Sequence, residues 1–184
     1  MGYYFCGIAA FVLFFWNDFN DWKLARPALR FCFPAGALLL AGATAAAALA
    51  RPAPLHGGAR LAAALGAVLF GALLVYTLFF ALPAKDAYAC TGEARQACTA
   101  GVYALCRHPG VLWFAGLYLC LSAASGLPWG FSVLCSLLNV ALVVFEDGWV
   151  FPAKLAGYTA YRRTTPFLLP TPRSIRACFA THRP

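Results

Sequence analysis

Apolar residues run through this chain in long unbroken stretches and do not alternate with polar ones, a pattern that predicts helices crossing a lipid bilayer. About 30 Å of hydrocarbon takes roughly 20 helical residues to cross. Leu29 to Ala50, Leu61 to Leu82 and Leu127 to Phe145 meet or approach that length. Val111 to Ala124 is shorter and aromatic, with Trp113, Phe114 and Tyr118. A fifth stretch, Tyr3 to Trp16, lacks the basic n-region and small-residue cleavage site of a signal peptide, so it reads as a short first membrane helix. The expected fold is all-α: an integral membrane bundle of about five transmembrane helices, with a cytoplasmic loop and a C-terminal tail capping the site.

The polar positions divide the chain near Pro83. Residues 1–82 hold helices of Ala, Leu and Gly, with residues 41–50 almost entirely alanine, a surface suited to close helix packing. No polar residue of this half is expected to converge on a site, so it reads as scaffold. Residues 83–184 differ. A polar stretch from Lys85 to Pro109 leads into two helices that turn at Gly126-Leu127-Pro128, and the second is expected to end at Glu146-Asp147. Helix can resume at about Pro152, because proline suits a first turn, and Lys154, Tyr158 and Tyr161 then share a face at spacings of four and three. A basic tail follows, broken by prolines.

Composition agrees with lipid as the solvent. Of 184 residues, 62% are hydrophobic and 11% charged, with mean hydropathy +0.73, whereas a soluble domain is about 25% charged. Charge placement adds an orientation. The loops Asn17–Arg30 and Pro83–Gly110 and the tail after Phe145 hold 12 of the 14 Lys and Arg, and Arg51 and Arg60 are the other two. The positive-inside rule puts the N-terminus outside and the large loop and tail in the cytoplasm. The net charge of +8 is therefore a topology and headgroup signal and does not point to nucleic acid. Eight cysteines form no CxxC pair, and Cys90, Cys98 and Cys106 have no histidine at zinc-ligand spacing, so they read as reduced structural thiols.

Two clusters can carry chemistry. In the segment Gly101 to Pro109, Pro109 disfavours helix at His108 yet is pre-shaped to open the next helix. His108 then sits among unpaired N–H groups where an anion binds well, and Arg107 adds a planar fork that matches a carboxylate. The bland alternative is a juxtamembrane Arg-His that marks the bilayer border. Glu146-Asp147 places two carboxylates at the end of an apolar helix, where acids are functional by default. Its bland alternative is a headgroup-level pair neutralised by Lys154 or Arg162.

Gly101-x-Tyr103, Arg107-His108-Pro109, a hydrophobic hairpin, Glu146-Asp147, then Tyr158-x-x-Tyr161 and Pro170 together resemble the isoprenylcysteine carboxyl methyltransferase and phospholipid methyltransferase superfamily over residues 85–172. The resemblance implies S-adenosylmethionine as cofactor, held by Arg95, Gln96, Ala97 and Cys98, by Tyr103, and by His108, Pro109, Gly110 and Val111. It implies catalytic roles for Arg107 and Glu146, and an acceptor bound near Glu146, Asp147, Tyr158 and Tyr161. Three positions depart from the family, one being Asp147, where the acidic pair is commonly Glu-Glu. Val111 stands where members commonly carry Tyr, and Leu142 stands where isoprenylcysteine enzymes place an Arg one turn before the first acid. Without that cation a substrate carboxylate is harder to hold, which demotes isoprenylcysteine.

The acceptor stays open: a phospholipid amine, a small thiol or a prenylated carboxylate, reached as a membrane lipid or lipophilic small molecule. Three other classes stand beside this reading. Membrane sterol reductases share a related helical core and use a nicotinamide cofactor. A transport or assembly protein should carry polar residues midway along several helices, where this chain has Thr44, Thr77, Ser132, Ser136 and Asn139. A haem protein needs paired axial histidines, and His56, His108 and His182 do not supply them within helices on one side.

Overall fold

A computed structural model describes residues 1–81 and 95–181. Lys85, Cys90 and most of the loop expected to roof the site lie outside the described residues.

Helix α1, Gly2–Phe19, continues as a wider π-turn over Asn20–Leu24. Ala25 stops it with φ 51°, and buried Asn20 closes the corner, donating to the Arg26 carbonyl at 3.1 Å and accepting from the Arg26 N–H at 2.8 Å. Pro27 opens a 3-10 turn, Pro27–Phe31, that runs into α2, Cys32–Leu49. α3 spans Gly57–Phe79. After the undescribed stretch come β1 (Arg95–Gln96), the single turn α4 (Val102–Leu105), α5 (Pro109–Ala124) and α6 (Trp129–Phe145). The chain stays helical through a π-turn at Glu146–Val150 into α7 (Phe151–Lys154). β2 (Leu155–Ala156), α8 (Tyr158–Thr164) and α9 (Pro172–Thr181) complete it.

The five long helices pack largely in pairs, α1 on α2 and α3 on α5, with α6 joining α5 to α1. Small residues allow the close approaches. A Cβ on Gly36 would lie 3.0 Å from the Ala10 carbonyl, and one on Gly116 would lie 2.7 Å from the Phe70 ring. Ala10, Ala43, Ala47, Phe114, Tyr118 and Phe131 belong to one buried cluster. The α5–α6 hairpin is pinned by a 2.7 Å bond between the Ser122 and Ser132 hydroxyls, both fully buried.

Outside that core, Leu38, Leu61, Leu65, Val68, Leu69 and Leu137 are more than half exposed. Such apolar faces suit hydrocarbon, with backbone polar groups satisfied inside each helix. Three segments, Pro27–Leu49, Gly57–Phe79 and Trp129–Lys154, are long and apolar enough to cross a membrane. α5 is shorter, at 16 residues, and α1 carries Asn17 and Asp18 in its last turns. Among the described residues the fold is all-α apart from a two-residue parallel bridge, Arg95–Gln96 beside Leu155–Ala156.

Two local expectations change. The helix does not end at Glu146-Asp147 but widens there and continues to Lys154. Lys154 also does not share a helical face with Tyr158 and Tyr161: Leu155 turns extended (φ −113°, ψ 119°) to pair with β1, and Gly157, at φ 75°, restarts the helix in a new direction.

Candidate active site

Gly101 adopts φ 57°, ψ −131°, a conformation open to glycine because it has no Cβ, and so turns the chain into α4. The following residues run extended beside the tail: Arg107 N–H donates to the Pro166 carbonyl at 2.9 Å and His108 N–H to that of Phe167 at 3.3 Å. His108 caps α5 and Pro109 occupies its first turn, as the sequence predicts.

Asp147 is the hub. Its Oδ1 accepts from Arg107 Nε at 2.8 Å, Tyr158 OH at 2.7 Å and His108 Nε2 at 3.2 Å, and its Oδ2 lies 3.3 Å from both Arg107 Nη2 and Arg162 Nε. The Arg107 and Asp147 side chains are only 10% and 7% exposed. Arg107 Nη1 donates also to the carbonyls of Arg162 and Thr165, each at 2.9 Å, leaving one of its five N–H groups without a protein partner among the described residues. Burial pulls the His108 imidazole down to about 4, against the opposing pull of Asp147. The ring is therefore neutral near pH 7. With Asp147 accepting from every side, the His108 proton sits on Nε2, and Nδ1 presents a lone pair 3.9 Å from Glu146 Oε2.

Adjacent helical residues point about 100° apart. That angle separates the acidic pair: Asp147 turns to the hub, and Glu146 turns to a cavity of about 780 Å³. Tyr103, Arg107, His108, Pro109, Gly110 and Val111 line its polar end with Glu146. Its apolar length passes Phe14, Leu40, Leu74, Phe114 and Leu117 and reaches Ser125 at the far end of α5. The volume lies within the roughly 300–1,000 Å³ of small-molecule sites.

The remaining expected site residues sit behind this wall. Tyr158 and Tyr161 brace it, the first on Asp147 and the second donating to the Tyr103 carbonyl at 2.6 Å. Burial and, for Tyr158, the Asp147 acceptor raise both phenols far above their ordinary value, so they remain donors. Tyr103, pushed up to about 12 by burial, donates to the Thr77 carbonyl at 3.0 Å. Gln96, Ala97 and Cys98 do not line the cavity: the Arg95–Gln96 backbone pairs with β2, and Ala97 N–H donates to the Ala156 carbonyl at 3.0 Å.

The N-terminal half contributes more than the sequence suggests. Thr77 Oγ1 accepts from Trp113 Nε1 at 3.1 Å, and Thr44 meets the Tyr118 hydroxyl at 2.7 Å beside the cavity. Asp18 lies within hydrogen-bond reach of Glu146. Sequence reasoning missed Asp18, although the rule that singled out Glu146, an acid at the end of an apolar helix, applies to it equally.

No family model, curated protein or solved structure matches this chain. Among the described residues, no group of three or more His, Cys, Asp or Glu is placed to hold a metal ion.

Proposed function

We propose that this chain is an integral membrane methyltransferase that uses S-adenosylmethionine and modifies a lipophilic or membrane-accessible acceptor. One observation carries the reading: the Tyr103, Arg107-to-Val111 and Glu146 positions, chosen from separate parts of the sequence, line one cavity. The family likeness in those motifs names the chemistry.

The residues fit such a cofactor. The Gly110 N–H at the start of α5 and the remaining Arg107 N–H form a donor set for a carboxylate, at the positive end of a 16-residue helix; Pro109 has no N–H, and those of His108 and Val111 already donate to carbonyls. Tyr103 and His108 wall the pocket beside it. Bound there, S-adenosylmethionine supplies an electrophilic methyl group. The protein's work is then alignment and exclusion of water, both served by a cavity lined along its length by apolar helices. Glu146 faces the acceptor and takes its proton.

Leu142 lines the cavity on the Glu146 side, so an acceptor carboxylate would meet an apolar wall and an acid. An amine or thiol suits this end better. In this reading all five long helices cross the bilayer, the N-terminus lies outside, and the charged end with the tail faces the cytoplasm.

The test is transfer of a radiolabelled methyl group to total membrane lipid and thiol extracts. Label should reach an extractable product, and Glu146→Gln should slow transfer by roughly 10²-fold or more. No labelled product, or an unchanged rate in the variant, contradicts the proposal.

A further inference from the structure

α1 brings a second carboxyl group to the back of Glu146. The two elements are docked by aromatic rings, Phe15 on Phe145 at 4.3 Å and Trp22 edge-on to Phe145 at 5.8 Å. Asp18 sits between Phe15 and Trp22 in the chain. Its Oδ1 accepts from Asn17 Nδ2 at 3.3 Å. Its Oδ2 is sealed from solvent and has no donor among the described residues. Besides Asn17, the carboxyl of Glu146 lies within hydrogen-bond reach of Asp18. Glu146 accepts no hydrogen bond from a donor side chain among the described residues, and the nearest His108 nitrogen is 3.9 Å away.

A buried acceptor without a donor costs about 1–3 kcal/mol. Two ionised carboxylates in contact would leave Asp18 Oδ2 without one and would repel each other. A single proton between them gives Asp18 Oδ2 its hydrogen bond and removes the repulsion. We infer that Asp18 and Glu146 hold one proton in common and form the base of the site as a pair, with Glu146 facing the cavity and Asp18 as its positioning partner.

The role in transfer rests on the methyltransferase reading, whereas the shared proton does not. In transfer, the lone pair of an acceptor X–H forms the new X–C bond to the methyl carbon. The C–S bond breaks with its electrons left on sulfur, which becomes a neutral thioether. The acceptor proton passes to Glu146, and the pair, which held one proton, then holds two. The second leaves toward the charged end, where His108 Nδ1 faces Glu146 and Asp21 lies near Asp18. A pair of this kind suits an acceptor that arrives with a proton to lose.

The test uses the full chain in detergent micelles at neutral pH. Infrared spectroscopy should show the C=O stretch of a protonated carboxylic acid. Dicyclohexylcarbodiimide, which attacks protonated carboxyls in apolar surroundings, should label Glu146 or Asp18 in peptides mapped by mass spectrometry. Asp18→Asn should lower the Glu146 label several-fold, and Glu146→Gln should remove the band. No band in wild type, or a Glu146 label unchanged by Asp18→Asn, overturns the inference. The wild-type band decides even where a variant fails to fold. The two readings also separate: band and label without S-adenosylhomocysteine binding keep the pair and remove the methyltransferase, and binding without band or label does the reverse.

Discussion

At the scale of single residues, the charged end of the bundle is an arrangement of donors around Asp147. Removing one partner of a buried ion pair leaves the other charge stranded, so Asp147→Ala should cost about 3–5 kcal/mol, read as a lower thermal midpoint in detergent. Tyr161→Phe removes the 2.6 Å bond to the Tyr103 carbonyl and should cost about 1 kcal/mol by the same measurement. His108 gives a pH signature. Its folded value, about 4, lies below its ordinary 6.5, so between those values the unfolded chain takes up a proton that the folded chain refuses. Stability should therefore fall as pH drops from about 6.5 toward 4, and His108→Gln should flatten that part of the curve of thermal midpoint against pH. An unchanged slope would mean that His108 is not buried as a neutral ring. The residue types of this hub were legible in the sequence. Their directions were not, because Glu146 and Asp147 are neighbours in the chain and only the helical rotation sends one to the cavity and the other to Arg107.

At the scale of elements, the apolar runs marked the long helices to within a few residues, since hydrocarbon length and helix propensity act on the same positions. Pro109 fixed the start of α5 for a backbone reason that is visible in sequence, whereas the turn at Gly101 emerges from the structure. Gly101→Ala should therefore strain the turn by about 1–3 kcal/mol and lower the thermal midpoint, because Gly101 holds φ 57°, ψ −131°. The turn also receives the far end of α9, where Thr181 Oγ accepts from the Gly101 N–H at 3.0 Å. The break after Lys154 was less legible. Leu155 and Ala156 leave the helix to pair with Arg95 and Gln96, residues about sixty positions away, and local periodicity carries no trace of that partner.

At the scale of the whole molecule, pairwise packing of α1 on α2 and α3 on α5 leaves the cavity between the pairs. The polar end and the apolar length of one pocket follow from the same arrangement. The basic residues separate with it: Arg51 and Arg60 flank the loop at the end opposite His108, where the Arg60 guanidinium donates to the Ala124 carbonyl at 3.0 Å. A sequence with few charges announces a membrane bundle readily. It does not reveal that Asp18, from the half read as scaffold, stands behind Glu146, because that contact depends on how α1 docks against α6. The central claim is that the cavity's charged end binds S-adenosylmethionine. Isothermal titration of the detergent-solubilised protein with S-adenosylhomocysteine tests it most directly: saturable binding by wild type and its loss in His108→Ala are predicted, and no binding by wild type, or undiminished binding by the variant, would contradict it.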